Sequence, residues 1–200
     1  MKSILQINSS LFEADAQSSR LASRFVDRLI EAAPGSSLIL RDLGSEPVPH
    51  LTRERFAAFS TPAERRSDDQ ARVTGESDQL IAELKQADVI VLAVPMYNFG
   101  IPSTLKAYID HVARAGETFR YTADGPVGLL KGKKAYVFST RGGVHAGTPR
   151  DLQTDYLRLI LGFMGITDVE FVYAEGTAMG DEQRASALAE AETRINRLAA

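Results

Sequence analysis

The chain has 200 residues, of which 44% are hydrophobic and 24% charged, a composition that suits one globular domain with a full core. It contains no cysteine, which excludes a disulfide framework, a thiolate metal site and a cysteine nucleophile. The net charge of −3 is mild, and lysines and arginines are scattered among acids, so the charge pattern argues against nucleic acid and favours a small-molecule partner.

The N-terminus and the hydropathy pattern predict neither export nor membrane insertion. Residues 1–5 lead straight into a strand-like run without a signal-peptide cleavage site. No apolar segment approaches the about 18 residues that span a bilayer. We therefore expect a cytoplasmic protein.

Hydrophobic periodicity divides the chain into five strands and the helices between them. Short apolar runs indicate strands, whereas apolar residues three and four apart indicate helices, such as Leu21, Phe25 and Leu29 before the stop at Pro34-Gly35. The predicted order is strand 4–7, helix 21–33, strand 37–42, short helix 53–59, helix 73–84, strand 89–94, helix 103–112, strand 134–139, helix 152–163, strand 169–173 and helix 188–198. Between these elements, residues 116–132 are expected to form an ordered loop or a small hairpin.

Two of the helix starts are predicted from capping residues. Ser103, directly after Pro102, is expected to cap the helix that follows strand 89–94. Residues 148–151, with the sequence Thr-Pro-Arg-Asp, resemble a capping box with Pro149 at the first helical position. Both starts lie on loops that matter for the expected site.

The alternation of strand and helix, without repeat or linker, predicts a single doubly wound α/β domain over residues 1–200. The strand at 89–94 is apolar without period-2 alternation, so we expect it at the centre of a parallel sheet covered on both faces. The expected architecture is a flavodoxin-like, five-stranded parallel sheet in the order 2-1-3-4-5, with helices on both faces.

Unusual loops follow the first, third and fourth strands. The first loop is rich in serine, the second carries two aromatic residues and a methionine at 96–99, and the third contains two adjacent glycines at 142–143. In the expected strand order the carboxyl ends of these three strands are neighbours at the topological switch point. The loops should therefore meet in one crevice.

Each loop has a functional and a purely structural interpretation. The first opens a helix, whose free N–H groups and positive dipole end favour an anion such as a phosphate monoester, although its serines could act only as cap and turn formers. Tyr97 and Phe99 could likewise only fill the rim of the core. The glycines let backbone approach a flat ligand, and Arg141 can pair with a carboxylate or face solvent. Together the loops offer what flavin mononucleotide (FMN) needs: a phosphate cradle, an aromatic and thioether surface, and close-approach backbone.

Other common sites are missing from the sequence. No G-x-G-x-x-G opens a helix after the first strand and no G-x-S-x-G occurs, which argues against a Rossmann dinucleotide site and a hydrolase triad. Residues 128–134 resemble a P-loop but are one residue short, with Lys134 where Ser or Thr should hold magnesium. His50, His111 and His145 form no ligand pair, so no metal site is expected. We interpret His50 and His111 as surface or cap residues, whereas His145 follows the glycine loop.

With these motifs in view, the sequence resembles the FMN-dependent NADH-azoreductase family of flavodoxin-like quinone reductases. The matching segments are Pro95–Phe99, Arg141–Gly143, Ala113–Gly116 with Thr118–Tyr121, and Leu161–Ile166. The resemblance covers essentially the whole chain.

The resemblance implies a bound FMN and assigns residues to it. Three groups are implied: Ser10, Ala16, Gln17 and Ser18 at the phosphate; Met96, Tyr97, Asn98 and Phe99 along the isoalloxazine; and Thr140, Arg141, Gly142 and Gly143 at its polar edge. Ala16 stands where the family often has serine, so a contact there must come from backbone N–H. The resemblance also implies a homodimer with the flavin at the subunit interface, where Tyr121 and Phe163 shape the pocket over the ring.

The hypothesis is a ping-pong oxidoreductase. NADH or NADPH passes a hydride to FMN and leaves, and a quinone or an azo compound then takes its place; complete azo cleavage to two amines needs four electrons and hence two cycles. No side chain forms a covalent bond. Backbone N–H groups near Gly142 and Gly143, with His145 as a further candidate, would stabilise negative charge on the reduced ring.

Two alternatives come from other functional classes. A flavodoxin-type carrier would bind FMN and pass single electrons between protein partners, but such carriers are typically strongly acidic, unlike this chain. A non-enzymatic binding or regulatory protein could use the same fold, because a fold does not fix function.

Overall fold

Strands and helices alternate through residues 1–199, the part of the chain that this computed structural model describes. The elements are β1 (Ser3–Asn8), α1 (Gln17–Ala32), β2 (Ser37–Asp42), α2 (Arg53–Ser60), α3 (Asp68–Gln86), β3 (Val89–Ala93), α4 (Ser103–Val112), β4 (Phe119–Thr122), β5 (Gly125–Gly128), β6 (Lys134–Thr140), α5 (Leu152–Met164), β7 (Asp168–Ala174) and α6 (Asp181–Ala199). No helix among them is both long and apolar enough to cross a membrane.

One parallel sheet organises the chain, with strand order β2-β1-β3-β6-β7. Because β4 and β5 form a separate antiparallel hairpin, this order is the predicted 2-1-3-4-5 of the five sheet strands. The flavodoxin-like prediction is confirmed, as is the small hairpin expected within residues 116–132. All five parallel strands end at the same edge of the sheet.

The central strand is buried on both faces, as its continuous apolar run predicts. Every residue of β3 is buried, and successive side chains point to opposite faces. Ile90 and Leu92 pack with apolar residues of α3, α4 and α5, whereas Val89, Val91 and Ala93 pack with α1 and α6. These two cores hold the carboxyl end of β3 in a fixed place relative to its neighbours.

Both capping predictions were wrong by a few residues. α4 begins at Ser103 itself, with Pro102 at the N-cap position and no side-chain cap. α5 begins at Leu152, because Asp151 is the cap and accepts a hydrogen bond from Thr154 N at 3.1 Å. Thr148 instead closes a turn in the preceding loop, where its hydroxyl donates to His145 O at 2.8 Å.

His111 is not the surface or cap residue that its sequence context suggested. It lies in the last turn of α4 and is fully buried, with its ring edge-on to Phe59 at 5.4 Å. Burial, with the Arg55 cation nearby, lowers the pKa of His111. His50, by contrast, is exposed as expected.

The hairpin is fastened to the C-terminal end of α5. Leu130 N donates to Met164 O at 2.9 Å, and a Cβ atom on Gly128 would lie only 2.2 Å from the backbone nitrogen of Gly165. Only glycine allows this close approach. The contact places the aromatic residues of β4 beside the end of α5.

Candidate functional site

The three unusual loops do meet at the carboxyl edge of the sheet. The Tyr97 hydroxyl lies 3.1 Å from Ser10 Oγ and accepts from Leu11 N at 3.3 Å, which joins the central loop to the first. Met96 N donates to Thr140 O at 2.9 Å, and the Phe99 and His145 rings pack edge-on at 5.5 Å, which joins it to the third. The predicted meeting of the three loops at one edge of the sheet is therefore confirmed.

The first loop ends in a helix start with free donors. Ala16 has extended backbone and no side chain caps α1, so the first-turn amides of the helix have no intrahelical carbonyl partners. Ser18 is fully buried, and its hydroxyl has no hydrogen-bond partner within residues 1–199. The N–H of Ala16, assigned to a phosphate by the family resemblance, donates to Glu13 O at 3.3 Å instead. The free donors therefore start at Gln17.

The central loop is a tight, strained turn. Tyr97 and Gly100 exchange backbone hydrogen bonds of 3.1 and 3.0 Å, and the two residues between them both have positive φ, 49° for Asn98 and 65° for Phe99. That pattern is typical of a type I′ turn, in which glycine usually occupies the second position. A non-glycine residue there costs roughly 1–3 kcal/mol, and such strain concentrates at functional sites. It holds the half-exposed Phe99 ring out over the crevice.

The third loop contains a buried cation, Arg141. The sequence left open whether this side chain pairs with a carboxylate or faces solvent. The Arg141 side chain is completely buried and ion-paired with Asp151 at 2.8 Å and with Glu175 at 3.1 Å. It also donates to Thr154 Oγ1 at 2.9 Å and lies over the Tyr173 ring at 4.8 Å. Arg141 thus pairs with carboxylates of the protein itself, and its fully buried side chain is not exposed to a ligand in the crevice.

Asp151 keeps its charge in this environment. Burial alone would raise its pKa, but hydrogen bonds from Arg141 and from the backbone of Thr154 outweigh that effect and lower the pKa of Asp151. Burial raises the pKa of the neighbouring Tyr173, whose hydroxyl contacts Thr154 Oγ1 at 3.0 Å. Asp151 is therefore ionised and Tyr173 neutral near pH 7.

The carbonyl oxygens and the amides of the diglycine segment differ in their hydrogen bonding. The carbonyl oxygens of Arg141, Gly142 and Gly143 all accept hydrogen bonds of 3.1 Å from the backbone of residues 176–178. The N–H groups of Gly142 and Gly143, by contrast, find no acceptor in the described part of the chain. The His145 ring packs against Gly143, where a Cβ would lie 2.9 Å from His145 Nε2. A side chain larger than hydrogen at position 143 would therefore displace the His145 ring.

Two predicted pocket residues lie elsewhere. Phe163 packs on Phe119 at 4.3 Å, and Tyr121, which is 73% exposed, meets Phe119 at 5.5 Å. Gln153, at the other end of α5, donates to Pro95 O at the crevice. Ten residues of helix separate Gln153 from Phe163, about 15 Å at 1.5 Å per residue. Tyr121 and Phe163 therefore do not line the crevice of their own protomer.

Three polar residues that build the site were not found from the sequence. Gln153 Oε1 accepts from Ser139 Oγ at 2.7 Å, Asp151 holds Arg141, and Glu175 accepts from Arg141, His145 and Ala146. The available signal was positional: Glu175 lies just after a strand, as the residues of the other site loops do, and precedes Gly176. Its pairing with Arg141, 34 positions away, depends on the neighbouring strands β6 and β7.

The fold and the site define a class: a doubly wound flavodoxin-like protein with an uncapped helix start, an aromatic turn and free backbone amides on loops that meet at one edge of the sheet. A family model described as "Flavodoxin-like fold" matches residues 2–198. The chain is also 51% identical over 195 residues, 98% of both chains, to "FMN-dependent NADH:quinone oxidoreductase 6" of Burkholderia lata. The chain therefore belongs to this flavodoxin-like family.

Solved structures agree with the fold. The azoreductase of Bacillus anthracis strain Sterne superposes with a TM-score of 0.91 at 27% identity, covering 100% of this chain and 99% of the other. An FMN-dependent NADH-azoreductase from Bacillus anthracis strain Ames Ancestor, solved in complex with FMN, gives a TM-score of 0.88 at 29% identity, with both chains fully covered.

Replacing Asp151 with asparagine tests the buried charge. D151N keeps the helix cap and leaves Arg141 paired with Glu175, so we expect a loss of about 1–3 kcal/mol in the free energy of unfolding at pH 7, the range for one weakened hydrogen bond to a charged group. A carboxyl whose folded pKa is depressed stabilises above its unfolded value of 3.8 and loses that contribution as pH falls through the folded pKa. The difference in the free energy of unfolding between wild type and D151N should therefore become smaller below about pH 4, as measured by urea unfolding. A gap independent of pH would contradict this assignment.

Proposed function

We propose that this chain is an FMN-dependent oxidoreductase that transfers two electrons from NADH, or NADPH, to quinones and, in two cycles, reduces aromatic azo compounds to amines. The convergence of an anion cradle, an aromatic turn and unpaired amides in one crevice carries the proposal. The relative from Burkholderia lata, at 51% identity, and the azoreductase solved in complex with FMN support it.

The residues of the first loop fit the phosphate of FMN. A phosphate monoester needs several donors, and the start of α1 offers first-turn amides together with the buried, unpaired Ser18 hydroxyl. Ser10 is also buried, and its hydroxyl, bonded to Tyr97, is placed at the same edge. A buried hydroxyl without a protein partner is costly unless a ligand satisfies it. We therefore assign Ser10, Gln17 and Ser18 to the phosphate.

The other two loops fit the ring. The half-buried Met96 and Tyr97 and the exposed Asn98 and Phe99 provide the wall along which a flat heterocycle can stack. At the opposite side, the free amides of Gly142 and Gly143 fit a polar ring edge, with Thr140 beside them. Arg141 contributes through the position of this backbone, because its side chain is fully buried and paired with Asp151 and Glu175.

The bound FMN would supply the hydride-accepting ring, and the chain would supply position and electrostatics. Fixed N–H donors aimed at a group that gains negative charge stabilise it without reorganisation, and Gly142 and Gly143 have such donors. The crevice needs no acid, base or nucleophilic side chain for this role. Phe99 shields one part of the ring site from water while leaving room for a flat substrate.

We further propose that the working unit is a homodimer. Phe163 lies about 15 Å along α5 from the crevice end of that helix, too far to contact a ring bound there, and Tyr121 of β4 packs on the same Phe119 ring as Phe163. Both form an aromatic cluster with Phe119 at the surface, and Leu159, on the same helix, is 72% exposed. A second copy packed by two-fold symmetry would bring this cluster to the partner's crevice and would cover the exposed apolar groups.

Anaerobic mixing with NADH tests the activity. Purified protein loaded with FMN is expected to lose the visible absorption of oxidised flavin within seconds and to recover it on adding a quinone. Bound FMN that stays oxidised with NADH would falsify the oxidoreductase proposal and would favour an electron carrier. A preparation that takes up no FMN would favour a non-enzymatic binding protein.

Replacing Ser18 with alanine tests the phosphate assignment. S18A removes a buried donor to a charged group, so the Kd for FMN should rise roughly tenfold or more. Riboflavin, which has the same ring but no phosphate, is the matched control ligand and should bind wild type and S18A equally. Fluorescence titration of the apoprotein measures both. Equal losses for the two ligands would place Ser18 away from the phosphate.

Hybrid dimers test whether the site is shared. Each homodimer of F99A or F163A has two damaged sites and should be weakly active. A hybrid purified through two different tags contains one site with neither change, so it should regain about half of wild-type activity. A doubly tagged wild-type dimer is the control. Hybrid activity no higher than the mean of the two variants would show that Phe99 and Phe163 do not act across subunits.

A further inference from the structure

Glu175 occupies a special position behind the diglycine segment. It directly follows β7, and its side chain is only 14% exposed. One of its oxygens, Oε1, accepts from Arg141 Nη1 at 3.1 Å, from His145 N at 2.8 Å and from Ala146 N at 2.9 Å. A single carboxylate oxygen thus holds a side chain before the glycines and the backbone after them.

The first anchor of this arrangement is rigid. The Arg141 guanidinium is fully buried and bonded to Asp151, Thr154 and Ser139 at 2.8–3.1 Å. Since Glu175 is held by that guanidinium, its Oε1 atom is a fixed acceptor for the second anchor, the amides of His145 and Ala146. Residues 142–144 span the interval between Arg141 and His145, and no side chain within residues 1–199 makes a hydrogen bond to them.

The carbonyls of the loop are fixed separately, by residues 176–178. With these carbonyls bonded to residues 176–178 and with His145 and Ala146 bonded to Glu175, the backbone that carries the free amides of Gly142 and Gly143 is held on both sides. The same contact sets the place of the His145 ring, which packs on Gly143 and on Phe99. Glu175 therefore acts on both walls of the ring site without entering it.

A carboxylate here is electrostatically unfavourable for reduction. Arg141 contributes one positive charge, while Asp151 and Glu175 contribute two negative ones, so the cluster has a net negative charge close to a ring that becomes more negative when reduced. Charge alone would therefore favour a neutral residue at this position. The carboxylate is explained by its ability to accept from a guanidinium and two amides at one site.

We propose that Glu175 is a positioning residue that aims the Gly142 and Gly143 amides at the polar edge of the flavin and thereby raises the midpoint potential of the bound FMN. The inference rests on the proposed function. The two can fail separately. If wild-type protein binds FMN and oxidises NADH, the proposed function stands, whatever the Glu175 variants show.

The decisive variant is E175D. It keeps the charge but withdraws the carboxylate by one methylene, so the loop loses its anchor while the electrostatics stay similar. We expect reduced FMN to bind about tenfold more weakly relative to oxidised FMN than in wild type, equivalent to a fall of about 30 mV in the two-electron midpoint potential. Redox titration of the loaded protein with reference dyes measures it.

The matched control is D151N, which removes one negative charge from the same cluster but no acceptor from the loop. Its midpoint potential should rise or stay unchanged, because less negative charge favours the reduced ring. An E175D potential equal to that of wild type, or a fall of the same size in D151N, would overturn the proposal. Either outcome would leave Glu175 as no more than a counter-ion of Arg141.

Amide hydrogen exchange of the apoprotein provides a readout without cofactor. In wild type, the amides of His145 and Ala146 should exchange much more slowly than those of Gly142 and Gly143. E175D should remove this protection, whereas D151N should keep it. The wild-type measurement stands even if a variant fails to fold, since equally fast exchange at all four amides would show that Glu175 does not hold the loop.

Discussion

The buried guanidinium of Arg141 is the interaction on which the site depends. A cation taken out of water must be neutralised and fully hydrogen-bonded, and removing one partner of such a pair typically costs about 3–5 kcal/mol. Its partners come from the start of α5, through Asp151 and Thr154, and from the end of β7, through Glu175. This one charge therefore fixes three elements against each other at the edge of the sheet where the crevice lies.

The fixed framework allows strain and unpaired donors to persist next to it. Two consecutive residues, Asn98 and Phe99, have left-handed backbone, and the buried Ser18 hydroxyl has no partner among residues 1–199. Each of these features destabilises the folded chain by itself. They lie together at the crevice, with the free amides of Gly142 and Gly143, which is where a ligand can compensate for them. A ligand that bonds these groups would therefore stabilise the folded chain.

The two ends of α5 contact different parts of the molecule. α5 begins at the crevice, where Gln153 donates to Pro95 O, and ends beside the aromatic hairpin, where Phe163 packs on Phe119. Its length of 13 residues separates the end that we assign to the cofactor from the end that we assign to the partner's pocket. In this view, dimer formation completes the site.

The sequence by itself determined the strand order and the meeting of three loops, because hydrophobic period and the geometry of parallel sheets are local or topological rules. Glycines, aromatic residues and serines at strand ends were visible in the same way. Only the tertiary structure decided that Arg141 is buried, that Asp151 rather than Thr148 caps α5, and that Glu175 anchors the diglycine loop. Those outcomes depend on which polar groups become neighbours across β6, β7 and α5, and the desolvation that selects their partners has no signature in local sequence.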